Sequence, residues 1–383
     1  MRRTTVAVIG VLAVLVSACV PLDQPADTTK IQSLGTAASD GWTFETYRDL
    51  AYPCAISGYQ TFVIATKDGS DPSAPAPMLV HLHGGGVGYF DESGNPVPGR
   101  GQKVEESGAS LKSRLLNNGL FAKVRADSAG FRMMAVSYCS HDLYAGSMTP
   151  DPHNPNTTPE GGPRFTTGLA ATKAAVQFAT AKYPTTKYFL HGGSAGSAGT
   201  FGVAWALQQQ GIAPAGLVAD ASLVNAEAFA AGYAQGVCTD TNGPGRVAAV
   251  SARIHPDLAN LDNQPDKLVT TGRLTVPILH IWNHGDKNTC GMPPVTCPMR
   301  DGTSTTMGYT DCIHEPMRRA IAAEGPDSRS RNLPVCVTPA EGGDPCSVHV
   351  VTNKGGLTNT DPQSPADYLT ATMDWIDARL ADA

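Results

Sequence analysis

The sequence predicts an α/β fold in which a mostly parallel central sheet is covered by helices on both faces. Short apolar runs of strand length recur along the chain, and segments with apolar residues at helical spacing lie between several of them. Continuous apolar runs are typical of strands buried on both faces, and their alternation with helices is typical of parallel sheets. We predict strands at Thr61–Ala65, Met78–Leu82, Met133–Tyr138, Tyr188–Leu190, Leu217–Ala219, Val276–Ile281 and Val348–Thr352.

Helices are predicted at Thr167–Tyr183, at Gly199–Gln210 and at Pro365–Leu380, the last with Ser364 as its N-cap. Two long segments rich in Pro, Gly and Asn, His141–Arg164 and Cys238–Arg273, exceed the length of plain connections. Loops of that length often cover a binding site, so we predict that these insertions form a lid.

The N-terminus has the pattern of an export signal. Arg2 and Arg3 precede an apolar run from Val6 to Val16, which is too short for a membrane-spanning helix. Cys19 directly follows small residues and resembles the lipobox cysteine of bacterial lipoproteins, although an ordinary cleaved signal stays open. We therefore predict a signal peptide at 1–18, lipidation of Cys19, a flexible polar tether at 19–40 and one catalytic domain at 41–383.

The net charge limits the class of binding partner, and the cysteine content indicates the cellular compartment. The formal net charge of −6 gives no basic surface for a nucleic acid. Eight cysteines follow Cys19, and an even number in an exported chain favours four disulfides over a metal site. Proximity alone suggests the pairs Cys290–Cys297 and Cys336–Cys346.

Ser194 lies in the run His191–Gly199, which contains the pentad Gly-Gly-Ser-Ala-Gly between a predicted strand and a predicted helix. This is the pattern of a nucleophile elbow, a sharp turn that exposes a serine hydroxyl at the end of a strand. The turn requires small residues, because a Cβ at Gly192 or Gly196 would clash across it. Ser194 is thus the candidate nucleophile.

The strand Met78–Leu82 runs into His83-Gly84-Gly85-Gly86, the loop type that supplies backbone amides to an oxyanion hole. We predict that Gly85 and Gly86 form this hole with the amide of Ala195. A phosphate-binding loop is disfavoured, because the chain lacks both glycine patterns typical of nucleotide sites. His81 and His83 are spaced as in some metal sites, but a loop-orienting role is favoured and no metal is predicted.

In the α/β-hydrolase fold an acid and then a histidine follow the serine along the chain. Asp286 lies in the run Asn283-His284-Gly285-Asp286 that follows the buried strand Val276–Ile281, where such sheets place functional groups, and His349 lies downstream of it. Asn288 occupies the position that many hydrolases give to the acid, and Asp220 is a second candidate acid. His314 is the alternative base, whereas His280 is expected in the core and His191 under the elbow.

Three segments together resemble the pectin acetylesterase and Notum family of α/β-hydrolases: LHGGGVGYF at 82–90, YCSHDLYAG at 138–146, and the GGSAG elbow. The run Cys346-Ser347-Val348-His349 is similar to that family's cysteine and catalytic histidine. The resemblance implies Ser194 as nucleophile, Asp286 as acid and His349 as base, and it makes the amide of Val87 an alternative contributor to the oxyanion hole.

These observations predict an exported serine hydrolase that cleaves carboxylic esters without a cofactor and is held at the outer face of the bacterial membrane only by its lipid anchor, or is secreted. By resemblance, the substrate is an acetyl ester of a polysaccharide, with Tyr89, Phe90 and Tyr144 near it. A lipase or polyester depolymerase would use the same residues in a more apolar cleft. A non-catalytic surface binding protein on a hydrolase scaffold is the alternative outside the enzymes.

Overall fold

The computed structural model describes residues 20–101, 103–222, 226–237 and 244–382. The predicted signal peptide and lipidation site, Cys19, lie outside these residues. The strands are β1 (Ile31–Ser39), β2 (Trp42–Pro53), β3 (Tyr59–Lys67), β4 (Ala76–Leu82), β5 (Tyr89–Phe90), β6 (Pro96–Val97), β7 (Arg132–Val136), β8 (Thr149–Pro150), β9 (Phe165–Thr166), β10 (Thr185–Gly193), β11 (Gly216–Asp220), β12 (Ile278–Asn283), β13 (Pro294–Pro298), β14 (Ser304–Gly308) and β15 (Arg331–Val335). The helices are α1 (Gly108–Leu116), α2 (Gly119–Ala126), α3 (Gly168–Lys182), α4 (Ala195–Gln209), α5 (Ala226–Ala234), α6 (Pro244–Ser251), α7 (Pro256–Ala259), α8 (Pro265–Thr270), α9 (Tyr309–Ala323) and α10 (Tyr368–Ala381).

In the part of the chain that the structure describes, nine strands form one sheet in the order β1-β2-β3-β7-β4-β10-β11-β12-β15. The six strands from β7 to β15 run parallel, whereas β1, β2 and β3 pair antiparallel at one side. The prediction of a mostly parallel sheet is confirmed.

Helices cover both faces of this sheet, as predicted. Leu79 and Val80 are adjacent in β4 and fully buried, but they belong to the cores on opposite faces of the sheet. Helices α3 and α4 pack over one face, and α1, α2 and α10 pack over the other. Because successive side chains of a strand alternate between faces, a strand covered on both sides is apolar throughout. This explains the continuous apolar runs in the sequence.

Strands β4 and β10 are neighbours, but the chain leaves them toward opposite edges of the sheet. From β4 it passes through α1 and α2 to β7, and from β10 it passes through α4 to β11. A crevice opens where the direction of winding reverses, at the carboxyl ends of the strands. The glycine-rich loop after β4 and Ser194 after β10 both lie at this point.

The flexible tether predicted over 19–40 is not observed in its described part. Residues 31–39 form β1, which pairs with β2 along its length. Before it, Leu22 is buried, and the Lys173 ammonium of α3 donates to the carbonyls of Leu22 and Gln24 at 2.7 Å each. The polar composition of this segment predicts disorder, because few apolar side chains are available to pack. An edge strand is held by backbone hydrogen bonds instead, and these do not depend on apolar side chains.

Other predicted elements differ in detail. The strand predicted at Val348–Thr352 does not form, and the segment ends in a 3₁₀ turn at Val351–Asn353. Val350 has a positive φ of 53°, which interrupts an extended run. The last helix is capped by the Asp367 carboxylate, which accepts from the Thr370 amide at 2.9 Å, and not by Ser364. The insertion 238–273 contains α6, α7 and α8.

Among pairs of described cysteines, disulfides join Cys54 to Cys139, Cys297 to Cys312 and Cys336 to Cys346. The predicted pair Cys336–Cys346 is confirmed. The predicted pair Cys290–Cys297 is wrong, because hairpin β13–β14 carries Cys297 to α9 and Cys312 rather than back toward Cys290, which is itself disulfide-bonded. Such disulfides are typical of exported proteins. No described helix is long and apolar enough to cross a membrane.

The contact with Lys173 makes a testable prediction about the N-terminal segment. Burial lowers the pKa of the Lys173 ammonium to about 8, and its two carbonyl partners belong to that segment. Lys173→Ala leaves both carbonyls without this donor, so we expect trypsin to cleave after the exposed Lys30 about tenfold faster than in the wild type. Mass spectrometry of timed digests measures this rate.

The matched control is Lys187→Ala, because Lys187 donates in the same way to the carbonyls of Arg379 and Leu380 near the other terminus. Cleavage after Lys30 should stay at the wild-type rate in this variant. Rapid cleavage after Lys30 in the wild type itself would contradict the docking of the N-terminal segment and would favour the predicted flexible tether.

Candidate active site

Ser194 lies in a strained turn between β10 and α4, as the predicted elbow requires. Its φ is 56° and its ψ is −121°, a conformation that non-glycine residues rarely adopt. A Cβ on Gly196 would overlap the carbonyl oxygen of Leu82, and a Cβ on Gly192 would overlap that of Gly196. The Ser194 amide donates to the carbonyl of Asp220 at 3.0 Å and so ties the turn to β11.

Asp286 and His349 are brought together from positions 63 residues apart. The distance from His349 Nδ1 to Asp286 Oδ2 is 2.6 Å. The Asp286 side chain is 1% exposed and that of His349 is 14% exposed. The other carboxylate oxygen of Asp286 accepts from the amide of Asn288 at 2.9 Å. Asn288, the alternative acid position, thus lines the cleft while Asp286 contacts the imidazole.

The loops that carry Asp286 and His349 are tied to one another by Asn283, the last residue of β12. Its side-chain amide donates to the carbonyls of Val337 and Val348 at 2.8 and 3.0 Å and accepts from the Val337 amide. The amide of Gly285 donates to the carbonyl of Cys346, which is half of a disulfide. These bonds fix the His349 loop over the end of β12.

The glycine-rich loop is held by its carbonyl oxygens. Tyr144 donates to the carbonyl of His83 at 3.1 Å, His141 to that of Gly85 at 2.9 Å and Tyr138 to that of Gly86 at 3.0 Å. The N–H of a trans peptide points away from the C=O of the same peptide unit. Each bond therefore directs the following amide to the other side of the loop.

His83 anchors the start of this loop, in line with the orienting role predicted for it. Its Nδ1 lies 2.7 Å from the carbonyl of Gly84, and its Nε2 lies 2.8 Å from a carboxylate oxygen of Glu106. Burial opposes the ionisation of Glu106, but hydrogen bonds from His83 and Arg114 outweigh burial and lower the Glu106 pKa to about 2. In the described chain no group of three or more His, Cys, Asp or Glu residues suits a metal ion.

Ser194, His349 and the glycine-rich loop line a common cleft of about 520 Å³. Apart from Val350 and the glycines, the residues lining this cleft are polar or charged. Those outside the predicted site are His81, His83, Ser113, Arg114, Asn117, Asn118, Asn288, Asn353 and Lys354. Ala195 begins α4 directly behind Ser194. The two predicted lid insertions contribute none of these lining residues, and the lid stays a prediction.

The alternative acid and base have other partners. Asp220 Oδ2 accepts from both the amide and the hydroxyl of Thr352 at 2.7 Å. His314 Nδ1 lies 2.9 Å from His280 Nε2, and both rings are buried. His191 lies under the elbow as predicted and is fully buried. The contributions of α1, of the turn between α1 and α2, and of residues 353–354 to the cleft were not predicted from the sequence, because spacing along the chain does not show which helix ends meet at the sheet.

No protein-family model matches the chain, and no curated protein matches it. Among solved structures, carboxyl esterase 2 from Tuber melanosporum is 15% identical over 91% of this chain and 88% of that chain, with a TM-score of 0.47. A thermostable esterase from Pseudomonas putida is 12% identical over 92% and 82%, with a TM-score of 0.44. An S-formylglutathione hydrolase from Agrobacterium tumefaciens is 12% identical over 79% and 89%, with a TM-score of 0.39.

None of these three proteins is a pectin acetylesterase or Notum. Because the identities lie below 25% and the TM-scores below 0.5, the likeness does not bear on activity or substrate. The resemblance to the pectin acetylesterase and Notum family stays a prediction.

Asp220 gives a prediction for stability against pH. Burial raises its pKa to about 6 from 3.8, although the bonds from Thr352 oppose this. Between these values the folded protein holds a proton that the unfolded chain has released, so rising pH favours unfolding. Asp220→Asn removes this penalty, and its free energy of unfolding relative to the wild type should rise by about 3 kcal/mol from pH 4 to pH 7.5.

Urea denaturation of both proteins across this pH range measures the difference. The matched control is Asp344→Asn, the same substitution at an exposed loop position. A difference between Asp220→Asn and the wild type that does not change with pH would contradict the raised pKa of Asp220.

Proposed function

We propose that this protein is an exported serine hydrolase that cleaves carboxylic esters, with Ser194 as nucleophile, His349 as base and Asp286 as acid. The observation that carries the proposal is a strained serine that lines the same cleft as a histidine whose Nδ1 is held by a buried carboxylate. A serine hydroxyl needs such a base to become a nucleophile. An imidazole bonded in this way has a fixed orientation and tautomer.

The reaction follows from the protons on His349. A carboxylate accepts and cannot donate, so His349 carries its proton on Nδ1 and presents a bare Nε2. Nε2 takes the Ser194 proton while Oγ attacks the ester carbonyl, and the imidazolium then protonates the leaving alcohol. Water, deprotonated by the same nitrogen, attacks the acyl-enzyme and releases the acid and Ser194. Asp286 stabilises the imidazolium during both steps.

The oxyanion formed in each step needs N–H donors. We assign this role to the amides of Gly85, Gly86 and Ala195. The bond that holds the carbonyl of Gly85 supports the assignment of Gly86, because it directs the amide of the same peptide unit to the opposite side. The bond to the carbonyl of Gly86 directs the amide of Val87, the alternative contributor, in the same way. The role of Gly85 rests on the loop type alone. Gly84 supports the close approach of loop and elbow, since a Cβ there would lie 2.9 Å from Ser194 Cβ.

The lining of the cleft favours a polar substrate over a lipid. Its lining offers amide, hydroxyl and charged groups and, among the residues named above, one aliphatic side chain, Val350. An acyl chain of a fat would leave these polar groups without partners, at a cost in binding free energy. An acetyl ester on a hydroxyl-rich polysaccharide suits the lining better than the substrate of a lipase or polyester depolymerase. The alternative of a non-catalytic binding protein predicts a missing catalytic residue, whereas all three are present.

Substitution of the three residues tests the proposal. We expect Ser194→Ala and His349→Ala to lower kcat/KM for p-nitrophenyl acetate by about 10⁴-fold or more, and Asp286→Asn by about 10³- to 10⁴-fold. Steady-state rates of the purified exported chain measure these losses. A fluorophosphonate probe should label the wild type and leave Ser194→Ala unlabelled.

The matched control is Ser197→Ala, one turn further along α4, where the buried hydroxyl has no hydrogen-bond partner among the described residues. It should retain wild-type activity. An inert wild type that the probe fails to label would refute the proposal and favour the binding protein.

The predicted anchor at Cys19 is testable in a bacterial host. We expect the full chain to incorporate radioactive palmitate and to partition into the detergent phase of Triton X-114, because acyl chains dominate such partitioning. Cys19→Ser should lose the label and stay in the aqueous phase, with its hydrolysis of soluble esters retained. A wild type without label would indicate an ordinary cleaved signal.

A further inference from the structure

A chain of buried hydrogen bonds runs beneath Ser194 from Asp220 to the wall of the cleft. Thr352 Oγ1 donates to Asp220 Oδ2 at 2.7 Å, and His191 Nε2 lies 2.9 Å from Thr352 Oγ1. His191 Nδ1 lies 3.0 Å from His81 Nδ1. His81 itself lines the cleft together with Ser194. The reaction proposed above uses none of these side chains.

The Asp220 carboxylate determines which atom is the donor in each hydrogen bond of this series. The hydroxyl of Thr352 has one proton and gives it to Asp220, so His191 Nε2 must be the donor to Thr352 Oγ1. His191 then has a bare Nδ1, which accepts from Nδ1–H of His81. This leaves His81 Nε2 without a proton.

Burial keeps both rings neutral, which this pattern requires. Desolvation lowers the pKa of His191 to about 3, and desolvation followed by the neighbouring His191 lowers that of His81 well below its ordinary value. Phe121 packs edge-on against both rings, with centroid distances of 5.3 Å to His81 and 5.7 Å to His191. The His81 ring is therefore fixed in orientation as well as in tautomer.

Among the described residues, the side-chain hydrogen bond of His81 is made by its Nδ1. His81 is the second-last residue of β4, two residues before the glycine-rich loop, and its Cα pairs with that of His191 across the sheet. An acceptor held rigidly in the wall of the cleft that Ser194 also lines suits a donor group on the substrate. In an ester of a polyol or sugar that donor is a free hydroxyl.

We propose that His81 Nε2 is a hydrogen-bond acceptor that binds a free hydroxyl of the substrate close to the scissile ester, with its tautomer set by Asp220, Thr352 and His191. The proposal rests on the esterase function proposed above. It makes His81 a specificity-determining residue and selects esters that keep an unsubstituted hydroxyl near the acyl group.

Three small esters test this role with the full exported chain. Propyl acetate replaces the hydroxyl of 2-hydroxyethyl acetate by a methyl group, and 2-methoxyethyl acetate keeps the oxygen but cannot donate. We expect the wild-type kcat/KM for the hydroxylated ester to exceed those for the other two by about tenfold. Equal values for the hydroxyl and methoxy esters would overturn the proposal.

His81→Asn keeps an amide N–H near the position of Nδ1 and removes the acceptor at Nε2. We expect the ratio of kcat/KM between 2-hydroxyethyl acetate and propyl acetate to fall to about one in this variant. The matched control is His280→Asn, the same substitution at a buried strand histidine that pairs with His314 and does not line this cleft, and it should keep the wild-type ratio. A ratio unchanged by His81→Asn would overturn the proposal.

A second measurement uses only the wild type, so it does not depend on whether a variant folds. In ¹⁵N-histidine-labelled wild type near pH 7, nuclear magnetic resonance should find the proton of His81 on Nδ1 and that of His191 on Nε2. A proton on Nε2 of His81 would overturn the proposal. A wild type that hydrolyses propyl acetate but does not distinguish the three esters refutes only the role of His81, whereas a wild type inert toward all three refutes the esterase function as well.

Discussion

The close approach of β4 and β10 at their carboxyl ends is the constraint on which the site depends. Gly196 lies against the carbonyl of Leu82 with no room for a Cβ, and Gly84 lies against Ser194 in the same way. These contacts hold the serine turn directly beside the glycine-rich loop. The positive φ of Ser194 is maintained because α4 and β11 fix both sides of the turn, so the strain is supported by the sheet as a whole.

The other half of the site depends on polar contacts rather than on packing. The loop that carries His349 is not paired with the sheet. The side-chain amide of Asn283, at the end of β12, holds this loop instead through hydrogen bonds to the backbone of Val337 and Val348. The Cys336–Cys346 disulfide closes the same loop. A histidine on a loop is thus held in position by the end of the sheet, as the proposed proton transfer would require.

The sequence was sufficient for the fold class, the elbow and six of the predicted strands, because apolar runs and small-residue patterns report on local packing. It was insufficient for β1, where pairing at the edge uses backbone groups and leaves polar side chains exposed. It also did not reveal the role of His81. That role depends on the register of β4 against β10, which pairs His81 with His191 and which no spacing along the chain encodes.

Two buried carboxylates hold the segment that carries the proposed base, one at each end. Asp286 contacts His349, and Asp220, at the end of the neighbouring strand β11, holds Thr352 three residues later. Between them the backbone reverses through the positive φ of Val350. Thr352 bonds to Oδ2 of Asp220, whereas Oδ2 of Asp286 lies 2.6 Å from His349 Nδ1, which favours Asp286 as the proposed acid. The division of roles between two similar carboxylates follows from where the loop crosses the sheet.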